Sequence, residues 1–128
     1  RTREIVYDQA AFRTVRAISD LRMHNLDWSL NAAMEYCISH APNGQLLDGS
    51  PHLWHEMQST LTMVGWHMQM VVGKVQFMKL LRDRSQQLGD KFVFKTFMDE
   101  FLAAGVIPIS LIRWEMTGMT EEIESLVN

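Results

Sequence analysis

Apolar residues recur along most of the chain at intervals of three and four, the spacing that places side chains on one face of an α-helix. The first such run is interleaved with Arg and Asp and has its apolar positions at Ile5, Phe12, Val15, Ile18 and Leu21. It predicts a helix that ends near His24. An alternating pattern typical of a β-strand extends no further than residues 91–94 (KFVF), so the sequence predicts an all-α fold.

Capping and turn-forming residues mark the limits of the second helix. Asp27 or Ser29 is the predicted N-cap, because a short side-chain oxygen can accept hydrogen bonds from the first free N–H groups of a helix. Residues 41–50 (APNGQLLDGS) are rich in Pro, Gly, Asn and Asp and predict the one clear internal loop. We expect this loop to be the least ordered internal stretch.

A long third helix is predicted to begin at Ser50-Pro51, because Ser can cap it and Pro suits the first helical position. Its pattern continues through Gly65 and Gly73, either of which could mark a kink or a close helix contact, to a stop at Gly89. Two shorter helices and a polar last turn or tail follow, at residues 94–105, 108–118 and 120–128. The first of these helices has its apolar face at Phe94, Phe97, Phe101 and Leu102.

Length and composition limit the class of protein. A chain of 128 residues that is 47% hydrophobic can form a core, and its length predicts a single domain over residues 1–128. The net charge of −3, with no basic stripe, argues against nucleic-acid binding. No apolar run reaches the roughly 18 residues that a membrane span needs. The chain opens without an initiator Met or a signal-peptide pattern, so we expect it to be part of a longer protein.

The pair His55-Glu56 resembles the start of the H-E-x-x-H motif of zinc peptidases, in which two His bind zinc and the Glu is the general base. The second His is missing, because Ser59 stands at its position. His52 and His55 have a spacing that can chelate a metal, but no third ligand follows at a recognisable spacing. We therefore predict no metal site and no cofactor in this chain, with His52 and His55 as the only candidates.

The other reactive side chains have simpler structural interpretations. His67 stands between Trp66 and Met68 and is predicted to be packed and hydrogen-bonded. The ten Met residues at helical spacing are typical of core filling. The alternative is that they line a hydrophobic ligand groove or a partner surface. Cys37, the only cysteine, is predicted to be buried and inert. A single cysteine does not show whether the protein is intracellular or secreted. No nucleophilic triad, phosphate loop or dinucleotide motif is present, so no catalytic residue is predicted.

Two ordered series of residues resemble one known family. The series in the C-terminal third consists of Gly73, Leu80, Leu81, Arg82, Leu88, Gly89, Asp90, Lys91, Phe92, Phe97, Asp99, Leu102, Gly105, Pro108 and Leu111. The series in the first third consists of Arg13, Arg16, Asp20, His24, Trp28, Ser29, Ala33 and Tyr36. In order and spacing, residues 12–113 resemble the domain of unknown function 885 family, whose members are predicted, and in some cases regarded, as gluzincin-type zinc peptidases.

The resemblance implies a multi-helix C-terminal segment of a larger helical metallopeptidase-like fold. In that family the zinc-binding H-E-x-x-H helix and a third ligand, a Glu, lie upstream of the residues matched here. Zinc would therefore belong to the parent protein and to no residue of this chain. The chain also departs from the family at six polar positions, which hold Ser59-Thr60, Trp66, Met70-Val71 and Met98. Most of these exchanges remove groups that could bind a substrate carboxylate or an oxyanion.

Arg16, Asp20 and His24 are polar residues that still match the family, and they lie four residues apart on one helix face. They predict an internal ion-pair ladder, which we favour over a substrate-binding cluster. Met63, Trp66 and Met70 share one side of a helix and predict an apolar interaction surface. The expected partner is the upstream part of the same protein or another chain, and the isolated chain is expected to self-associate.

The sequence is therefore compatible with two functions. The first is a non-catalytic C-terminal part of a zinc-peptidase-like protein, which would complete a cleft if the parent carries the zinc motif. The second is a non-enzymatic binding or assembly module that reuses the scaffold and presents its apolar helical surface. The sequence upstream of Arg1 would separate the two.

Overall fold

The computed structural model describes residues 2–127, with side chains described for residues 2–125. Its helices are α1 Thr2–His24, α2 Leu30–His40, α3 Pro51–Thr62, α4 Trp66–Leu88, α5 Phe94–Ala103, α6 Ile109–Thr117 and α7 Glu121–Val127. Two short 3₁₀ turns lie at Pro42–Gly44 and Gly89–Lys91. No strand occurs among these described residues, and the all-α prediction is confirmed. Over the same range, no helix is both long and apolar enough to cross a membrane.

The chain divides into two compact units, Arg1–Val72 and Gly73–Asn128, with the boundary inside α4. Unit 1 contains the first three helices and the beginning of α4. Unit 2 contains the rest of α4 and the last three helices. Each unit has a hydrophobic core of its own.

Serine caps the second and third helices, as their local sequence predicts. The hydroxyl of Ser29 accepts a hydrogen bond of 3.2 Å from the backbone N–H three residues along, at the start of α2. The hydroxyl of Ser50 does the same for α3, also at 3.2 Å, and Pro51 follows at the first helical position. Of the two caps proposed for α2, Ser29 is therefore the correct one. Asp27 instead accepts a hydrogen bond of 2.9 Å from the side chain of Arg22.

The predicted single helix from Pro51 to Leu88 is wrong, because a break at residues 63–65 divides it into α3 and α4. Met63 leaves the helical region with φ −122° and ψ 79°, and Gly65 adopts φ +76°. A positive φ suits glycine, which has no Cβ to clash with the backbone. Gly73, the other predicted site of a kink, lies inside α4. The predicted polar tail also forms a helix, α7.

The core of unit 1 lies between α1, α2 and α3. Its buried members are Phe12, Val15, Met23, Ala33, Cys37, Leu46, Leu53 and Met57. Leu46 is completely buried and anchors the loop of residues 41–50 to this core. Two positions of the predicted apolar face of α1 are not part of it, because Ile5 and Leu21 are more than half exposed.

The core of unit 2 is small. Its buried members are Leu80 of α4, Phe97 of α5 and Ile112 of α6. Phe77 packs edge-on against Phe101, with 5.1 Å between the ring centres. The predicted apolar face of α5 is only partly buried, because the side chains of Phe94 and Leu102 are mostly exposed.

Candidate functional site

Asp20 of α1 is the centre of a buried polar cluster in unit 1 and is only 1% exposed. One of its carboxylate oxygens, Oδ1, accepts a hydrogen bond of 3.1 Å from the backbone N–H of Gly65. The other, Oδ2, accepts from the N–H groups of His67 at 3.0 Å and Met68 at 3.4 Å. The first turn of a helix has free N–H groups and a partial positive charge, so a carboxylate stabilises it. Asp20 therefore caps α4 from another helix.

His24, one turn along α1, contacts the same carboxylate. Its Nδ1 lies 2.9 Å from Asp20 Oδ1 and 2.9 Å from the backbone carbonyl oxygen of Asp20. The structure thus places two of the three residues of the predicted ladder, Asp20 and His24, in direct contact. The third, Arg16, directs its guanidinium to α3.

Arg16 and Glu56 form a second, largely buried part of the cluster. Arg16 Nη1 donates a hydrogen bond of 2.7 Å to Glu56 Oε2, and both side chains are nearly nine-tenths buried. The guanidinium carbon of Arg16 also lies 4.3 Å from the ring centre of Phe12, a distance typical of a cation–π contact. A charged pair with so little access to water depends on its partner, because either charge left alone would be strongly destabilising.

His67, the second residue of α4, lies between these two pairs and is 2% exposed. Its Nε2 is 3.6 Å from Glu56 Oε2, and neither ring nitrogen has a hydrogen-bond partner. Burial is the main cause that lowers the pKa of His67 below its ordinary value, and the charge of Arg16 adds to it. Glu56 and Asp20 oppose this shift without reversing it. His67 is packed as predicted, but its ring makes only weak polar contacts, with the side chain and the backbone of Glu56.

The two histidines considered as metal candidates have different surroundings. His52 Nε2 lies 3.4 Å from Glu56 Oε1, and its Nδ1 lies 3.2 Å from the backbone carbonyl oxygen of Gln45. His55 is exposed on α3. Among the described residues, no group of three or more His, Cys, Asp or Glu side chains is arranged to hold a metal ion.

The break between α3 and α4 carries an exposed apolar patch. We call it the joint patch, and its members are Leu61, Met63, Val64 and Trp66. Two residues of the predicted interaction surface, Met63 and Trp66, belong to it, while Met70 is half-buried. Val64 is the most exposed of the four, at 66%. The joint patch begins directly beside the amides that Asp20 holds.

Unit 2 has a buried ion pair that the sequence did not indicate. Arg113 Nε donates a hydrogen bond of 2.9 Å to Asp83 Oδ2, and Arg113 Nη1 donates one of 2.9 Å to Glu121. Burial raises the pKa of Asp83, but hydrogen bonds from Arg82 and Arg113 outweigh it and leave that pKa below its ordinary value. The hydrogen bond from Arg113 likewise lowers the pKa of Glu121. This pair fixes α6 against α4 and the start of α7.

Unit 2 also has a shallow apolar depression of about 520 Å³, lined by Ile107, Leu111, Trp114 and Glu115. In unit 1, Cys37 is buried as predicted, and its Sγ lies 3.1 Å from Ser19 Oγ. Burial raises the pKa of the Cys37 thiol, so it stays protonated at neutral pH and is a poor nucleophile.

Comparison of the sequence with family models assigns the chain to a family. The family model described as "Bacterial protein of unknown function (DUF885)" matches residues 2–116. The chain is therefore a member of the DUF885 family. No curated protein and no solved structure matches it significantly.

Proposed function

We propose that this chain is a non-catalytic helical part of a zinc-peptidase-like protein, whose cleft it completes from one side. The observation that carries the proposal is the way the buried carboxylates are used. Asp20 accepts hydrogen bonds from three backbone N–H groups, and Glu56 is paired with Arg16.

Such carboxylates are suited to structural support. A general base must reach the proton that it removes, and it needs a lone pair free to accept that proton. Asp20 is buried beneath the first turn of α4, and its oxygens are occupied by amides. The Oε2 atom of Glu56 accepts a hydrogen bond of 2.7 Å from the guanidinium of Arg16. The cluster is therefore built to fix α1, α3 and α4 relative to each other within unit 1.

The expected role in the cleft comes from the family resemblance and from the position of the joint patch. The exchange to Trp66 falls where relatives are expected to have a polar group, and Trp66 is half exposed at the start of α4. If the parent protein carries the upstream zinc motif, that part of the protein would supply the metal and the reacting groups. The present chain would then supply an apolar wall held in place by Asp20.

The alternative is a binding or assembly module without any enzymatic activity. The joint patch favours it, because four neighbouring apolar side chains exposed on one break are typical of a contact surface. In this case the partner would be another chain, and no zinc would be needed.

Assays of the isolated chain and of the full-length parent protein separate the two functions. The proposal predicts no peptide hydrolysis by the isolated chain, with or without added zinc. It predicts zinc-dependent hydrolysis by the full-length protein, and a lower rate in a full-length Trp66→Glu variant. Trp54→Glu is the matched control, because Trp54 is also about half exposed but lies on α3, away from the break.

Three outcomes would decide against the proposal. Hydrolysis by the isolated chain would show that it has its own catalytic groups. A full-length protein without zinc-dependent activity would leave the binding module as the better account. Equal effects of the two Trp variants would show that the joint patch has no special role in the cleft.

A further inference from the structure

His67 combines three features that disfavour a positive charge on its ring. It is buried, it lies in the first turn of α4, and it shares Glu56 with the guanidinium of Arg16. The first turn of a helix carries a partial positive charge, which repels a cation placed there. A buried imidazolium would also have two N–H donors, and the carboxylate oxygen next to its Nε2, Glu56 Oε2 at 3.6 Å, already accepts a hydrogen bond from Arg16.

The charged groups around His67 come from each helix packed against it. Arg16 and Asp20 face it from α1, and Asp20 is itself held by His24. Glu56 faces it from α3, with His52 3.4 Å from the other carboxylate oxygen. Only Glu56 and Asp20 could stabilise a charged His67. Both are already engaged, Glu56 by Arg16 at 2.7 Å and Asp20 by backbone amides of α4.

We propose that His67 is a pH-sensitive latch at the break between α3 and α4. When its ring takes up one proton from solvent, the imidazolium competes with Arg16 for Glu56, and the first turn of α4 loosens from Asp20. The joint patch lies on this break, so its presentation to a partner becomes dependent on pH. This inference concerns the regulation of the break and does not depend on the peptidase relationship.

The direction of the pH dependence follows from linkage. We call the state with the first turn of α4 held by Asp20 closed, and the loosened state open. The pKa of His67 is lowered in the closed state, so His67 binds more protons in the open state. Acidification below the ordinary value of about 6.5 therefore favours the open state. Because opening takes up a single proton, the equilibrium constant for opening changes by at most about tenfold per pH unit.

NMR of the whole chain from about pH 8 to about pH 5 tests the latch, because histidine titrates in this range. The ring signals of His67 report its titration, and hydrogen exchange of the Gly65, His67 and Met68 amides, corrected for intrinsic rates, reports the opening. We expect the His67 midpoint to lie below 6.5, and the protection of these amides to fall with the same midpoint. His67→Gln should remove that pH dependence, while His55→Gln on the exposed face of α3 should leave it unchanged.

Three results would overturn the proposal. The first is a titration midpoint of His67 at or above the ordinary pKa of histidine, and the second is amide protection that changes with a midpoint different from that of His67. The third is a pH dependence of amide protection that is unchanged in His67→Gln. The wild-type titration decides the matter by itself if His67→Gln does not fold.

Discussion

The carboxylate of Asp20 accepts a hydrogen bond of 3.0 Å from the backbone N–H of His67, across 47 positions of the sequence. This contact fixes the start of α4 to α1, directly after the break at Gly65. The same contact makes Asp20 a structural residue, because its oxygens are used by the backbone. A catalytic carboxylate would need at least one of them free for a substrate.

Removal of the Asp20 carboxylate should destabilise unit 1. Asp20→Ala leaves the N–H groups of Gly65 and His67 without their acceptor in a buried place, which costs about 2–3 kcal/mol in the free energy of unfolding. Urea denaturation followed by circular dichroism measures this change. Asp27→Ala is the control, because Asp27 makes an exposed pair with Arg22. A similar loss in both variants would contradict the role given to Asp20.

The pair of Arg16 and Glu56 should show strong coupling in a double-mutant cycle. Glu56→Ala leaves the buried guanidinium unpaired and should cost about 3–5 kcal/mol in the free energy of unfolding. The double variant Arg16→Met, Glu56→Leu removes both charges and should cost much less than the sum of the single changes. The exposed pair of Lys95 and Asp99 is the matched control and should show little coupling. Additive effects at Arg16 and Glu56 would argue that the pair is solvated.

Part of this structure follows from local sequence, and part does not. The caps at Ser29 and Ser50 and the helical class follow from neighbouring residues. Gly65 could be named from the sequence as a possible kink, but its carboxylate partner Asp20, 45 positions earlier, could not. The surroundings of Glu56 cannot be predicted locally for the same reason. The pair His55-Glu56 resembles a zinc motif in the local sequence, whereas in the structure Glu56 contacts Arg16, 40 positions earlier, His67 on the next helix and His52 on its own helix.

The ion pair of Asp83 and Arg113 should make unit 2 sensitive to acid. The folded-state pKa of Asp83 lies below its ordinary value of 3.8, so its contribution to stability is complete above that value and is lost as the pH falls through the folded-state pKa. Unfolding in urea at several pH values compares the wild type with Asp83→Asn. We expect a difference in stability at neutral pH that shrinks on acidification below 3.8. A difference that stays constant would mean that the carboxylate charge is unimportant.

The joint patch should drive self-association of the isolated chain. Val64→Lys and Trp66→Glu place charges on the patch and should shift sedimentation velocity profiles toward the monomer at high concentration. Tyr7→Lys is the control, because Tyr7 is exposed on the same unit but lies roughly 20 Å along α1 from Asp20. A wild-type chain that remains monomeric at high concentration would remove the main support for the binding module.

Calorimetric titration of the isolated chain with zinc at neutral pH tests the central claim most directly, since that claim denies this chain a catalytic metal centre. A catalytic zinc needs three protein ligands and a structural one needs four. In unit 1, His52 and His67 approach Glu56 from two sides, while Arg16 already occupies one of its oxygens. We therefore expect no tight one-to-one binding. Submicromolar one-to-one binding that is lost in both the His52→Ala, His55→Ala variant and the Glu56→Gln variant would contradict the account.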